Sequence, residues 1–367
     1  MDTSLFDSFK DPTLARDLLD AIDQLAAHLD RDVGIMEVCG THTVALARGG
    51  FRSVLPKNLR LVSGPGCPVC VTANADIDKI IALTRLPDVI LASFGDMIRV
   101  PGSSTSLMER KAEGAAVEVI YSPLDALKLA QKHPDMQLVL AGVGFETTTP
   151  LIAATIERAR ALGLENFSVI AAHKRVPPAL KALVNDPELG LDGLILPGHV
   201  STILGEEPYR FLADEYHLPG VITGFEPLDL LQGISYLLRQ IVEKRARIEN
   251  AYTRAVMPGG NPAALEAIAR VFDVCDADWR GLGVIAESGY AIREEFAEFD
   301  ALRRFEVEVE PTIEPKGCRC GEVLRGFIPP NKCPLYGKAC TPSAPIGPCM
   351  VSSEGSCAAW FRYRIEV

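Results

Sequence analysis

Eight short apolar runs recur between residues 34 and 223, and the stretches between them carry apolar residues at helical spacing. The runs cover 34–38, 59–62, 89–92, 117–121, 137–141, 167–171, 193–196 and 220–223. Runs this short and this uniformly apolar suit strands buried on both faces, and alternation with helices predicts parallel sheets built from βαβ units. A helix with apolar positions Leu14, Leu18, Leu19, Ile22, Leu25 and Ala26 precedes them, with Pro12 suited to its first turn. Helices are also expected over 75–86 and 228–248, and 257–262 (Met-Pro-Gly-Gly-Asn-Pro) reads as a linker.

The predicted fold class is α/β: two Rossmann-like βαβ domains with parallel sheets, plus a third, cysteine-rich region. Taken in chain order, the expected divisions are an N-terminal helical segment over 1–32 that packs with the third region, a first α/β domain over 33–130, a second over 131–250, and a C-terminal domain over 251–367. A length of 367 residues exceeds what one core usually serves. Both α/β domains open alike, an apolar strand running into a Gly- and Thr-rich turn.

Net charge is −11, from 37 basic and 48 acidic residues, which argues against nucleic acid as the main partner. Residues 1–10 lack a basic start followed by an apolar run, so no signal peptide is expected. No apolar stretch approaches the roughly 18 residues of a membrane span. The expected location is therefore cytoplasmic, with no membrane partner. In that compartment organised cysteines serve more often as metal ligands or redox thiols than as structural disulfides.

Nine of the ten cysteines fall in two groups, and Cys275 stands apart. The first group is Cys39, in Cys-Gly-Thr-His-Thr (39–43), with Cys67 and Cys70, in Gly-Pro-Gly-Cys-Pro-Val-Cys (64–70). Both segments follow strands, and ligands bind at the carboxyl ends of parallel strands, so three thiols can converge at one sheet edge. The C-x-x-C pair alone is open to three readings: half of a zinc site, a redox dithiol, or two of three ligands to an iron centre completed by Cys39. His42 can supply a proton or a supporting hydrogen bond. Other polar turns also follow strands: 94–103 (Phe-Gly-Asp-Met-Ile-Arg-Val-Pro-Gly-Ser), 144–149 with Glu146, and 198–202 with His199. The expected catalytic set is Cys39, Cys67, Cys70, His42, Glu146 and His199. Gly-Val-Gly-Phe-Glu-Thr (142–147) lacks the third glycine of a dinucleotide fingerprint.

The second group is Cys318, Cys320, Cys333, Cys340, Cys349 and Cys357, in a Pro-rich tail. Four thiols would hold one [4Fe-4S] cluster, leaving two for a redox pair beside it. Structural zinc is the rival, disfavoured by the lack of His and of paired C-x-x-C in the tail.

Together these motifs resemble the HypD family of [NiFe]-hydrogenase maturation factors. The resemblance rests on 39–43, 64–72, 94–103, 144–148, 198–205 and the tail over 318–357. Val44 stands where family members often carry a second His. The resemblance implies a scaffold on which an iron with two cyanides and one carbon monoxide, Fe(CN)2CO, is assembled, with redox activity and no conventional turnover. It implies Cys39, Cys67 and Cys70 as thiols for that iron. It implies Cys318, Cys333, Cys340 and Cys357 as [4Fe-4S] ligands, with Cys320 and Cys349 as the adjacent dithiol. It implies a HypC-type small chaperone and a HypE-type cyanide donor as partners. The rival functions are an iron–sulfur-linked thiol–disulfide oxidoreductase and, third, a zinc-bound interaction protein.

Overall fold

A computed structural model describes residues 11–365. Residues 1–10, on which the reading of a missing signal peptide falls, lie outside the described residues. In chain order the strands are β1 (Val33–Glu37), β2 (Leu59–Ser63), β3 (Val89–Phe94), β4 (Val117–Ile120), β5 (Gln137–Gly142), β6 (Phe167–Ala171), β7 (Gly193–Pro197), β8 (Gly220–Thr223), β9 (Ile248–Asn250), β10 (Phe272–Trp279) and β11 (Gly283–Ile292). The eight apolar runs are β1 to β8. Every residue of β1, β7 and β8 is buried, as strands covered by helices on both faces require.

Two parallel sheets result, of order β2-β1-β7-β8-β9 and β4-β3-β5-β6. They do not divide the strands at residue 130. β1 and β2 pair with β7 to β9, while β3 and β4 join β5 and β6, so the four-stranded sheet is an insertion between the halves of the five-stranded one. The local pattern of β2 and β3 is the same, and nothing in either run names its partner. Each sheet has one switch in strand order, between β1 and β7 in the first and between β3 and β5 in the second. A crevice opens at the carboxyl ends of strands on either side of such a switch.

The first helix spans Pro12–Ala26, capped by Asp11, whose carboxylate accepts from the Thr13 amide at 2.7 Å. It buries Ile22 and Ala26 against Leu231, Ile234 and Leu238 of the helix Pro227–Val242. The helix thus belongs to the five-stranded layer and not to the third region, because its apolar stripe matches the one the sheet's last helix leaves uncovered.

The last hundred residues are shared between the two sheets. The helix Pro262–Val271 and the ends of the β10–β11 hairpin bury Ile268, Phe272, Tyr290 and Ile292 with Ile152, Phe167 and Val169 of the four-stranded layer. Trp279, at the hairpin tip, is fully buried and stacks on Phe145 at 5.9 Å. The tail beyond residue 318 is a series of one-turn helices ending in Ser356–Tyr363. No helix among the described residues is long and apolar enough to cross a membrane.

Candidate functional site

β1 and β2 run parallel in register from Val33 opposite Leu59 to Glu37 opposite Ser63, which brings their following loops together. Cys39 keeps extended backbone and caps the helix Gly40–Arg48. The Gly40 amide donates to the Gly66 carbonyl at 3.1 Å. A β-carbon on Gly66 would fall onto the Val38 carbonyl and the Cys39 backbone, so the Gly-Pro-Gly turn owes its second glycine to this close approach. A β-carbon on Gly40 would meet the Glu354 carbonyl oxygen at 2.6 Å, because the tail crosses there.

Cys39 opens into a cleft of about 420 Å3 between the two sheets. Its walls come from the carboxyl ends of strands: Thr41 and Cys39 after β1, Pro68 after β2, Thr147 and Thr148 after β5, His199 and Thr202 after β7. Cys39 and His199 flank the switch point of the first sheet. Burial, then the charge of Glu354, pushes the Cys39 thiol up to about 11, while hydrogen bonds from Thr41 and the His42 backbone pull the other way.

His199 is exposed at the cleft and stacks on Phe225 at 4.0 Å. Partial loss of solvent lowers its imidazole below the ordinary range, against the charge of Glu354, which raises it. His42 does not line the cleft. It lies behind Phe225, stacked at 4.7 Å, with Nε2 3.1 Å from the Gly224 carbonyl and 3.0 Å from the Thr223 hydroxyl. Burial lowers it to about 4, so it is a neutral fastener between the helix Gly40–Arg48 and the end of β8. Glu146 is set back in the same way. Its Oε1 accepts from the Val176 amide at 2.9 Å, Oε2 is buried without a partner, and burial raises the carboxyl to about 7. Its neighbours Phe145 and Thr147 line the cleft in its place.

Cys67 and Cys70 are joined as a disulfide, with α-carbons 5.2 Å apart, and both are buried behind the cleft wall. Cys67 caps the turn Pro68–Val71, its Sγ accepting from the Cys70 amide at 3.2 Å. Of the three cysteines in the first group, Cys39 alone is a free thiol and alone lines the cleft. Cys70 Sγ lies 4.0 Å from the Pro348 carbonyl, one residue before Cys349.

All six tail cysteines line one further cavity. Cys320 and Cys349 stand with sulfurs 2.8 Å apart. A hydrogen bond from Cys318, then one from Cys349, holds the Cys320 thiol well below its ordinary value, and the same contacts raise Cys318 and Cys349. The Ile346 amide donates to Cys340 Sγ at 3.3 Å. A β-carbon on Gly347 would come 2.8 Å from Cys318 Sγ, so this glycine keeps the cavity open. Among the described residues no three His, Cys, Asp or Glu side chains close on a point that would grip a single metal ion. The six tail thiols share one small cavity of about 20 Å3, and thiolates are the donors an iron–sulfur cluster takes.

The segment between the two thiol sites is pinned. Asp96 Oδ2 accepts from the Ser353 amide at 3.1 Å and from the Ser352 and Ser353 hydroxyls at 3.3 and 3.2 Å. Arg99 donates to the Val351 carbonyl at 3.1 Å. Thr41 donates its hydroxyl to Glu354 Oε1 at 2.6 Å, beside Cys39. The 94–103 motif is thus the mooring of the tail. Glu354 and Phe225 went unread in the sequence, since neither sits in a motif with a chemical signature.

A family model named HypD, with the description "Hydrogenase formation hypA family", matches residues 13–364. The hydrogenase maturation factor HypD of Azotobacter vinelandii is 50% identical over 97% of this chain and 96% of its own length. The factor of the same name from Escherichia coli K12 is 44% identical over 98% of this chain and 97% of its own. A hydrogenase expression/formation protein of Methanocaldococcus jannaschii is 42% identical over 97% and 99%. Matches of this length, over motifs that form the walls of one cleft and one cavity, settle the kinship: the chain belongs to the HypD family of hydrogenase maturation factors.

Proposed function

We propose that the protein serves hydrogenase maturation in the cytoplasm as the scaffold on which Fe(CN)2CO is assembled, with the iron carried as cargo at Cys39. The observation that carries this reading is the placement of Cys39 at the switch-point cleft, with a disulfide and a six-thiol cavity packed in sequence behind it. Thiolate is a soft donor and suits electron-rich iron bearing cyanide and carbon monoxide. The cleft admits cargo on one side, and the Cys67–Cys70 pair backs it on the other.

The tail is the place for a resident [4Fe-4S] cluster, with Cys318, Cys333, Cys340 and Cys357 as ligands. When bound, such a cluster supplies electrons one at a time. Cys320 and Cys349 remain as a dithiol next to it, with sulfurs 2.8 Å apart, and Cys349 follows Pro348, whose carbonyl lies 4.0 Å from Cys70 Sγ. Exchange with Cys67–Cys70 balances without other reagents: the Cys320/Cys349 pair becomes a disulfide, and Cys67 and Cys70 become thiols. Partners of the HypC chaperone and HypE cyanide-donor types would meet the open side of the cleft.

The Cys67–Cys70 disulfide also favours a second reading, an iron–sulfur-linked thiol–disulfide oxidoreductase acting on other proteins. The resident cluster is common to both. Anaerobically purified protein is expected to hold about four irons in the tail and to show the broad visible absorption of such a cluster. Stoichiometric zinc without iron would refute the assignment.

A further inference from the structure

Glu354 is the one acidic side chain lining the Cys39 cleft among the described residues, and partial loss of solvent lowers the imidazole of His199, the one basic group there. The helices Gly40–Arg48 and Thr149–Ala161 both begin at this cleft. Their amino ends would by themselves draw anions toward the thiol. The tail loop instead sets a fixed carboxylate there. It passes over Gly40, where no other residue leaves room, and Thr41 ties the carboxylate at 2.6 Å. Asp96 holds the loop through three hydrogen bonds and takes no part in the cleft wall.

We propose that Glu354 makes the cleft a charge-selective site, admitting cations and neutral groups to Cys39 and holding off free small anions, and that Asp96 is the residue that positions it. A divalent metal ion fits this field, and a negatively charged ligand enters it only as part of a neutral group. The bearing on iron rests on the cleft being an assembly site; the selectivity itself does not.

The test uses two alkylating probes of similar size, neutral iodoacetamide and anionic iodoacetate, on full-length protein held anaerobically. Modification of the peptide carrying Cys39 is followed by mass spectrometry. Both probes consume the thiolate, so the ratio of their rates cancels the thiol's own ionisation. In Glu354→Gln, which keeps an acceptor for Thr41, the neutral-over-anionic ratio should fall on the order of five- to tenfold at low salt, as two charges a few ångströms apart near a surface imply. The change should shrink in 1 M salt, where the screening length is roughly 3 Å. Glu354→Asp should restore the wild-type preference. Asp96→Asn should lower the ratio in the same direction, although it removes no charge from the cleft wall. A ratio unchanged in Glu354→Gln overturns the charge filter, and one unchanged in Asp96→Asn overturns the positioning role. Neither result depends on whether iron is ever assembled at Cys39.

Discussion

Gly66→Ala is the change most damaging to the site for its size. The new methyl would strike the Val38 carbonyl oxygen and carbon and the Cys39 α-carbon. All three are backbone atoms, so no side-chain end can swing aside, and the loops after β1 and β2 must part. Overpacking of this kind costs about 1–3 kcal/mol. Parting the loops also loses the Gly40-to-Gly66 hydrogen bond, another ~1 kcal/mol. The expected loss is therefore about 2–4 kcal/mol, read by urea denaturation. Gly259→Ala is the control: a methyl there meets nothing within 4 Å, and stability should stay within about 0.5 kcal/mol of wild type. A Gly66→Ala protein as stable as the Gly259→Ala control, with Cys39 reacting as in wild type, would refute the view that Gly66 sets the closeness of the two loops.

Glu146→Gln should stabilise the protein increasingly with pH. The folded carboxyl is raised from 4.5 to about 7 by burial, so its proton stabilises the fold at low pH and that contribution is lost as pH rises through 7. Gln keeps the Val176 bond without the charge, and its advantage should grow from pH 4.5 to 7 toward a value on the order of 3 kcal/mol; a pH-independent difference would contradict this. Cys67→Ala and Cys70→Ala should each remove most maturation activity, and the double variant should lose little more, because the two sulfurs form one bond. Independent, multiplying losses would show that they act separately.

The eight strands were legible because each is short and mostly apolar, and β1, β7 and β8, covered on both faces, must be so whatever their neighbours. Sheet membership was not, because β1 meets β7 through packing some 160 residues away. β9 has three half-buried residues and leaves no apolar run. The β10–β11 hairpin exposes half of β10, so Asp273, Asp276 and Asp278 mask its pattern. Cys39 and His199 were readable as neighbours of strand ends. His42 and Glu146 follow strands too, but a position after a strand does not say whether a side chain turns toward the cleft or into the protein behind it. Glu354 could be found only by seeing where the tail crosses Gly40.

Infrared absorption of the anaerobically purified protein, mixed with the proposed HypC-type chaperone, tests the central proposal most directly. Bound cyanide and carbon monoxide should give separate stretching bands, present in wild type and absent in Cys39→Ala, while the visible absorption of the tail cluster is the same in both. Undiminished bands in Cys39→Ala would contradict the assignment of the iron to this thiol.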